Sequence, residues 1–130
     1  MTSGRYLLDT GIVASLFRGE TSVQNQIAEA EEVFVGSITL GELFYGAFKS
    51  QRTDAELKKI GEFAQAVRVL DCDSETAEVY GRIKTALRAK GRPIPENDIW
   101  IAATAMQHEL ALAMRDPHFT QVEGLILASW

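Results

Sequence analysis

Apolar residues fall along this chain in short runs separated by longer stretches of helical periodicity. Tyr6-Leu7-Leu8, Val33-Phe34-Val35, Val67-Arg68-Val69-Leu70 and Leu110 to Met114 are too short for helices and are bounded by turn or capping residues, so they read as strands. Leu125-Ile126-Leu127 is a candidate fifth. Ile12 to Phe17 reads as a short helix stopped near Gly19. Thr21-x-x-Gln24 and Thr53-x-x-Glu56 have the spacing of capping boxes and predict helices reaching about Glu32 and Ala66. Ser37 or Thr39 opens a helix through Phe48. Asp73 or Ser74 caps a long one to about Lys90, which Gly91-Arg92-Pro93-Ile94-Pro95 breaks. A last helix runs from near Asn97 to His108.

Continuous apolar strands alternating with helices imply parallel strands covered on both faces. The expected fold class is therefore α/β: a three-layer α/β/α sandwich around a central, mostly parallel sheet of four to five strands. A length of 130 residues suits one domain over the whole chain. The longest apolar stretches, such as Ile99 to Met106, are too short to cross a bilayer. The first residues, Met-Thr-Ser-Gly-Arg, carry no apolar signal core. The expectation is a cytoplasmic protein with no membrane partner.

Composition narrows the chemistry. A single cysteine, Cys72, excludes an internal disulfide, and with only His108 and His118 beside it no structural zinc site can be assembled. The net charge of −5 argues mildly against nucleic acid as a partner, but its distribution is uneven. Arg82, Lys84, Arg88, Lys90 and Arg92 crowd one short stretch. If that stretch is helical, Lys84, Arg88 and Arg92 share one side.

In a parallel α/β fold, strand C-terminal ends and the following helix N-termini share one edge, where ligands collect. Four acids map to it. Asp9 ends the first strand, Glu42 lies about one turn into the helix after the second, Asp98 opens the last long helix, and Asp116 follows the fourth strand. Each has a structural alternative. Asp9 can cap a helix, Glu42 can complete a Thr39-x-x-Glu42 capping box, Asp98 can serve the helix dipole, and Asp116-Pro117 can open a turn. Four such carboxylates on one edge would repel and raise one another's pKa, which a divalent cation relieves. All are hard oxygen donors, suited to Mg²⁺ or Mn²⁺. Such a centre suits phosphodiester hydrolysis.

Leu7-Leu8-Asp9-Thr10, Leu40 to Ala47, Asn97 to Ala105 and Arg115-Asp116-Pro117-His118-Phe119 resemble, in order and spacing, the four motifs of VapC-type PIN domains. The resemblance implies a Mg²⁺-dependent endoribonuclease (Mn²⁺ substituting), the toxin of a type II toxin–antitoxin pair, usually a homodimer and held inactive by a cognate VapB-type antitoxin. It assigns Asp9, Glu42, Asp98 and Asp116 as catalytic and metal-holding residues, with Thr10 and Asn97 as polar supports. One departure is visible. The family usually has Thr or Ser two residues before the last acid, where this chain has Met114.

Lys84, Arg88 and Arg92, with Arg115, are candidate RNA-binding residues. The alternatives are a solvated basic face and, for Arg115, pairing with a neighbouring acid. His118 reads as packing or capping beside Phe119 rather than shuttling protons, and Trp100 as core or dimer packing. Phe17, Phe44, Tyr45 and Phe48 form either core or a groove for an antitoxin segment. A receiver domain would need paired acids after the first strand, and a haloacid-dehalogenase-type phosphatase a second Asp two residues after Asp9. The chain has Thr10-Gly11 there. The remaining alternative is a catalytically silent PIN fold that binds RNA or protein.

Overall fold

A computed structural model describes residues 4–130 of the chain; the reading of the first residues as lacking a signal core falls partly on Met1 to Ser3, outside them. Five strands, β1 (Arg5–Leu8), β2 (Glu32–Gly36), β3 (Arg68–Leu70), β4 (Ala111–Met114) and β5 (Leu127–Ser129), form one sheet in the order β3-β2-β1-β4-β5. Every pairing is parallel, including Leu7 with Phe34 on one side and with Leu112 on the other. Six α-helices accompany it: α1 (Thr10–Phe17), α2 (Thr21–Glu29), α3 (Ser37–Phe48), α4 (Thr53–Ala66), α5 (Ser74–Lys90) and α6 (Glu96–Gln107). A 3₁₀ turn covers Pro117–Gln121.

Strand parity divides the core in two. Leu7, Phe34, Leu112 and Met114 pack with Ile83 and Leu87 of α5 and with Ile99, Ala102 and Ala103 of α6. Their alternates Leu8, Val35 and Ala113 pack with Ile12 and Val13 of α1, Val23 of α2 and Phe63 of α4. Successive strand side chains point to opposite faces, so apolar residues at every position require helices on both. That is the three-layer α/β fold. The edge strands β3 and β5 are three residues each, too short to template further pairing.

The strand positions hold, except that β5 lies two residues later than expected, and the helix starts differ from expectation. At α2, α3 and α4 the predicted capping residues Thr21, Ser37 and Thr53 are the first helical residues, behind Glu20, Gly36 and Arg52, and no side-chain cap forms. The Thr53 hydroxyl instead donates back to the Ser50 carbonyl at 2.7 Å. α2 also ends at Glu29, because Glu32 begins β2 in register with Arg5. Only the long helix α5 keeps its cap: Asp73 accepts from the Thr76 amide, and Thr76 accepts from the Asp73 amide. Gly91 closes α5 in the left-handed conformation (φ 66°), which costs glycine nothing, so Arg92 lies beyond the helix. Lys84 and Arg88 therefore share a helix face without Arg92.

Candidate metal centre

The sheet order reverses direction between β1 and β4, and a crevice opens at their C-terminal ends. Asp9 leaves β1 there, its amide donating to the Ala113 carbonyl at 3.0 Å. Asp9 occupies the N-cap position of α1 but its side chain makes no capping bond. It is only 7% exposed. Glu42 comes from the second turn of α3, Asp98 from the first turn of α6, and Asp116 from the end of β4. The Thr39-x-x-Glu42 capping box does not form, since Thr39 lies inside α3.

Glu42 is held on both oxygens. The Thr10 hydroxyl donates to its Oε1 at 2.6 Å, and Asn97 Nδ2 donates to its Oε2 at 3.3 Å. The buried Thr39 hydroxyl lies 3.1 Å from that of Thr10. Thr10 has one proton and commits it to a carboxylate, so Thr39 is the donor in that second contact. Asp116 serves two purposes: its Oδ1 accepts from the His118 amide at 2.9 Å, starting the 3₁₀ turn, while the carboxylate remains at the cluster.

Burial pushes Asp9 up to about 6, and the charges of Asp98, Glu42 and Asp116 push the same way against the Thr10 amide. Asp98 also rises to about 6, through burial first and then Asp116 and Glu42, with His118 opposing. The two carboxyls are therefore poised to lose protons to a cation near neutral pH.

His118, read from the sequence as packing or capping beside Phe119, faces the acids. Phe119 is fully buried, but in a 3₁₀ turn consecutive residues point about 120° apart. His118 is thus half-exposed, with Nδ1 3.0 Å from Asp116 Oδ1 and 3.8 Å from Asp98 Oδ2. The pattern Asp116-Pro117-His118 carried that signal, because an Asp-Pro turn folds the second following residue back on the acid. Met114 is buried in the α5–α6 core, so no side-chain hydroxyl is present at that position.

The basic candidates scatter. Lys84 is committed to Glu96 at 2.8 Å and to the Tyr80 hydroxyl at 3.3 Å. Arg88 is exposed one turn further along α5. Arg92 borders the centre, lining a depression of about 410 Å³ with Pro93, Pro117 and His118. Arg115 binds Glu20 through both carboxylate oxygens (3.0 and 3.2 Å), Ser15 at 3.2 Å and the Trp130 carbonyl at 3.0 Å, the structural pairing weighed above. Trp100 stacks on Tyr80 with centroids 4.1 Å apart. Two grooves of about 640 and 350 Å³ meet at Glu42, with Tyr45 lining one and Phe17 the other. Tyr45 and Phe48 are each 67% exposed, so they belong to the surface rather than the core.

Sequence and structural comparison identify the family. The model of the PIN domain family matches residues 6–125. The chain is 34% identical to ribonuclease VapC2 of Haemophilus influenzae, covering 97% of this chain and 98% of that protein. The chain belongs to the VapC branch of the PIN domain family. It is also 33% identical to the tRNA(fMet)-specific endonuclease VapC of Shigella flexneri, with 97% and 98% coverage. Among solved structures, VapBC2 of Rickettsia felis bound to a promoter DNA fragment superposes with a TM-score of 0.90 at 29% identity, over 97% of this chain and 98% of that one. Among the described residues, Asp98 and Asp116 lie with His118 as a close group of ligating atoms, and Asp9 interacts electrostatically with Asp98, Glu42 and Asp116.

Proposed function

We propose that this VapC-type PIN domain is an endoribonuclease dependent on Mg²⁺, with Mn²⁺ able to substitute, and the toxin of a type II toxin–antitoxin pair. The observation that carries the reading is Asp9: a carboxylate 7% exposed, facing three further acids, with no basic side chain paired to it among the described residues. Such an arrangement is costly unless a cation completes it. The donor set fits: hard carboxylate oxygens match a hard divalent ion, and their high proton affinity matches a centre that exchanges protons for metal.

Asp9, Asp98 and Asp116 would hold the ion, with Glu42 reaching it directly or through water. When bound, the ion supplies Lewis acidity toward water and phosphate oxygens. Thr10 and Asn97 fix the Glu42 carboxylate, leaving its free lone pairs to accept a proton from an attacking water. Attack in line on phosphorus breaks the P–O3′ bond, leaving a 5′-phosphate and a 3′-hydroxyl. Among the described residues no Ser-His or Cys-His pair stands at the centre, so no covalent phospho-enzyme is expected. Arg92, at the rim, is the best placed of the basic candidates to meet a substrate phosphate. The grooves flanking Glu42 are the proposed seat of a VapB-type antitoxin segment, supported by the VapBC assembly of the Rickettsia structure. A homodimer and a cytoplasmic location complete the reading; among the described residues no helix is long and apolar enough to cross a membrane.

Cleavage of a structured RNA pool by the purified protein, in Mg²⁺, Mn²⁺ or EDTA and with Asp98→Asn as control, tests the proposal. Metal-dependent cleavage lost in the variant supports it. RNA binding without cleavage in either metal favours the silent PIN module instead.

A further inference from the structure

The four acids supply oxygen donors only, yet a histidine nitrogen lies beside two of them. We propose that His118 is itself a ligand of the bound cation, making the centre a mixed nitrogen–oxygen site that binds Mn²⁺ more tightly than the Mg²⁺ it also accepts. The inference rests on the metal-centre reading above. Three observations lead to it. One ligating atom from each of Asp98, Asp116 and His118 lies within 4.8 Å of the other two. The nitrogen that faces the acids is Nδ1, 3.0 Å from Asp116 Oδ1. Adjacent donors of an octahedral ion at about 2.1 Å are about 3.0 Å apart, so this pair already has the spacing of neighbouring ligands. The gap from Nδ1 to Asp98 Oδ2 is wider, 3.8 Å, and the imidazole is 51% exposed. Independently, Asp9 is 7% exposed, its carboxylate accepts from the Thr10 backbone amide but is paired with no basic side chain among the described residues, and it interacts electrostatically with both Asp98 and Asp116.

The local fold supports this role. Pro117 and the 3₁₀ turn fix the backbone, and the His118 amide is tied to Asp116 Oδ1 at 2.9 Å. The imidazole is therefore delivered to the cluster by a short, preset turn rather than by a mobile loop. Neutral imidazole is a borderline donor that favours transition ions, whereas Mg²⁺ prefers oxygen. The alternative is that His118 merely pairs with Asp116 and leaves the ion to the carboxylates.

Titration of the purified protein with Mn²⁺, followed by the electron paramagnetic resonance of the free ion, separates the two. Spin-echo spectra of the loaded protein report nitrogen coordination directly. The expected result is nitrogen modulation in the wild type and in His108→Ala, but not in His118→Ala. The latter still folds and binds Mn²⁺ about tenfold or more weaker, with a smaller loss for Mg²⁺. Mn²⁺ bound without nitrogen modulation, and with affinity unchanged in His118→Ala, overturns the inference while leaving the acidic centre intact. No Mn²⁺ binding, or binding indifferent to Asp98→Asn, overturns the metal centre itself and the inference with it.

Discussion

Replacing Asp9 by Asn should separate stability from function in opposite directions. The ordinary carboxyl value of 3.8 rises to about 6 for Asp9, chiefly through burial. At about 1.4 kcal/mol per pH unit, ionised Asp9 costs the metal-free fold about 3 kcal/mol. Asn keeps the shape and removes the charge, but brings an amide whose own burial costs about 1–2 kcal/mol. The net expectation in EDTA at pH 7.5 is a gain of about 1–2 kcal/mol, a rise in Tm of roughly 3–8 °C for a chain of this size. The sign follows from proton binding. Between about pH 4 and 6 the folded protein holds a proton that the unfolded chain has lost, so wild-type stability falls as pH rises through this window. Above about 7 the penalty is complete; at pH 4 about 0.5 kcal/mol remains, because the unfolded carboxyl is still half ionised there, and it vanishes only below about pH 3. The variant should therefore keep its full advantage at pH 7.5, lose it near pH 5 and be the less stable protein by pH 4, where the amide cost of about 1–2 kcal/mol exceeds the remaining penalty. Thermal unfolding in EDTA across that range measures it, and a repeat in Mn²⁺ should stabilise the wild type but not Asp9→Asn. If Asp9→Asn is destabilising in EDTA at pH 7.5, the carboxylate has a favourable partner and the argument that it awaits a cation is wrong.

Three further perturbations test neighbouring links. Thr10→Val removes the 2.6 Å bond to Glu42 and should cut RNA cleavage about tenfold, whereas Thr10→Ser, which keeps the hydroxyl, should retain it; equal activity of the two would remove Glu42 orientation from the mechanism. Leu112→Ala on β4 empties a fully buried site between β1 and β5 and should cost about 3 kcal/mol in urea unfolding, with a value under 1 kcal/mol contradicting the assigned core. Arg115→Met should release the C-terminal strand, seen as faster amide exchange at β5. Glu20, held down to about 2 by its hydrogen bonds to Arg115 and Ser15, loses this interaction only as pH falls below its ordinary 4.5 toward 2, so exchange at β5 in the wild type should stay slow at pH 5.

Four of the five strands, their parallel arrangement and the edge on which the acids lie are legible in the sequence alone. Apolar residues at consecutive strand positions, as in Leu7-Leu8 and Phe34-Val35, require cover on both faces and leave the strand ends as the only place for charge. Asp9, Glu42, Asp98 and Asp116 were legible because each follows a strand or opens a helix at that edge, and the four motifs reinforced one another. The Asp73 cap was legible for a related reason: its partner Thr76 is local in sequence.

What depends on contacts distant in sequence was decided only by the tertiary structure. Glu42 has its bonding partners 32 and 55 residues away, in Thr10 and Asn97, so its local Thr39 capping spacing was misleading. Thr21 and Thr53 lost their capping roles because strand register and packing set the chain's entry into each helix, and the energy of one capping bond is too small to oppose that. Arg115 meets Glu20 across 95 residues, a pairing that no local pattern announces. His118 gained its place beside Asp98 and Asp116 from the handedness of one short turn. Periodicity reports which side of an element is buried, a property of neighbouring residues; which charged groups meet depends on how whole elements pack, and no local pattern encodes that.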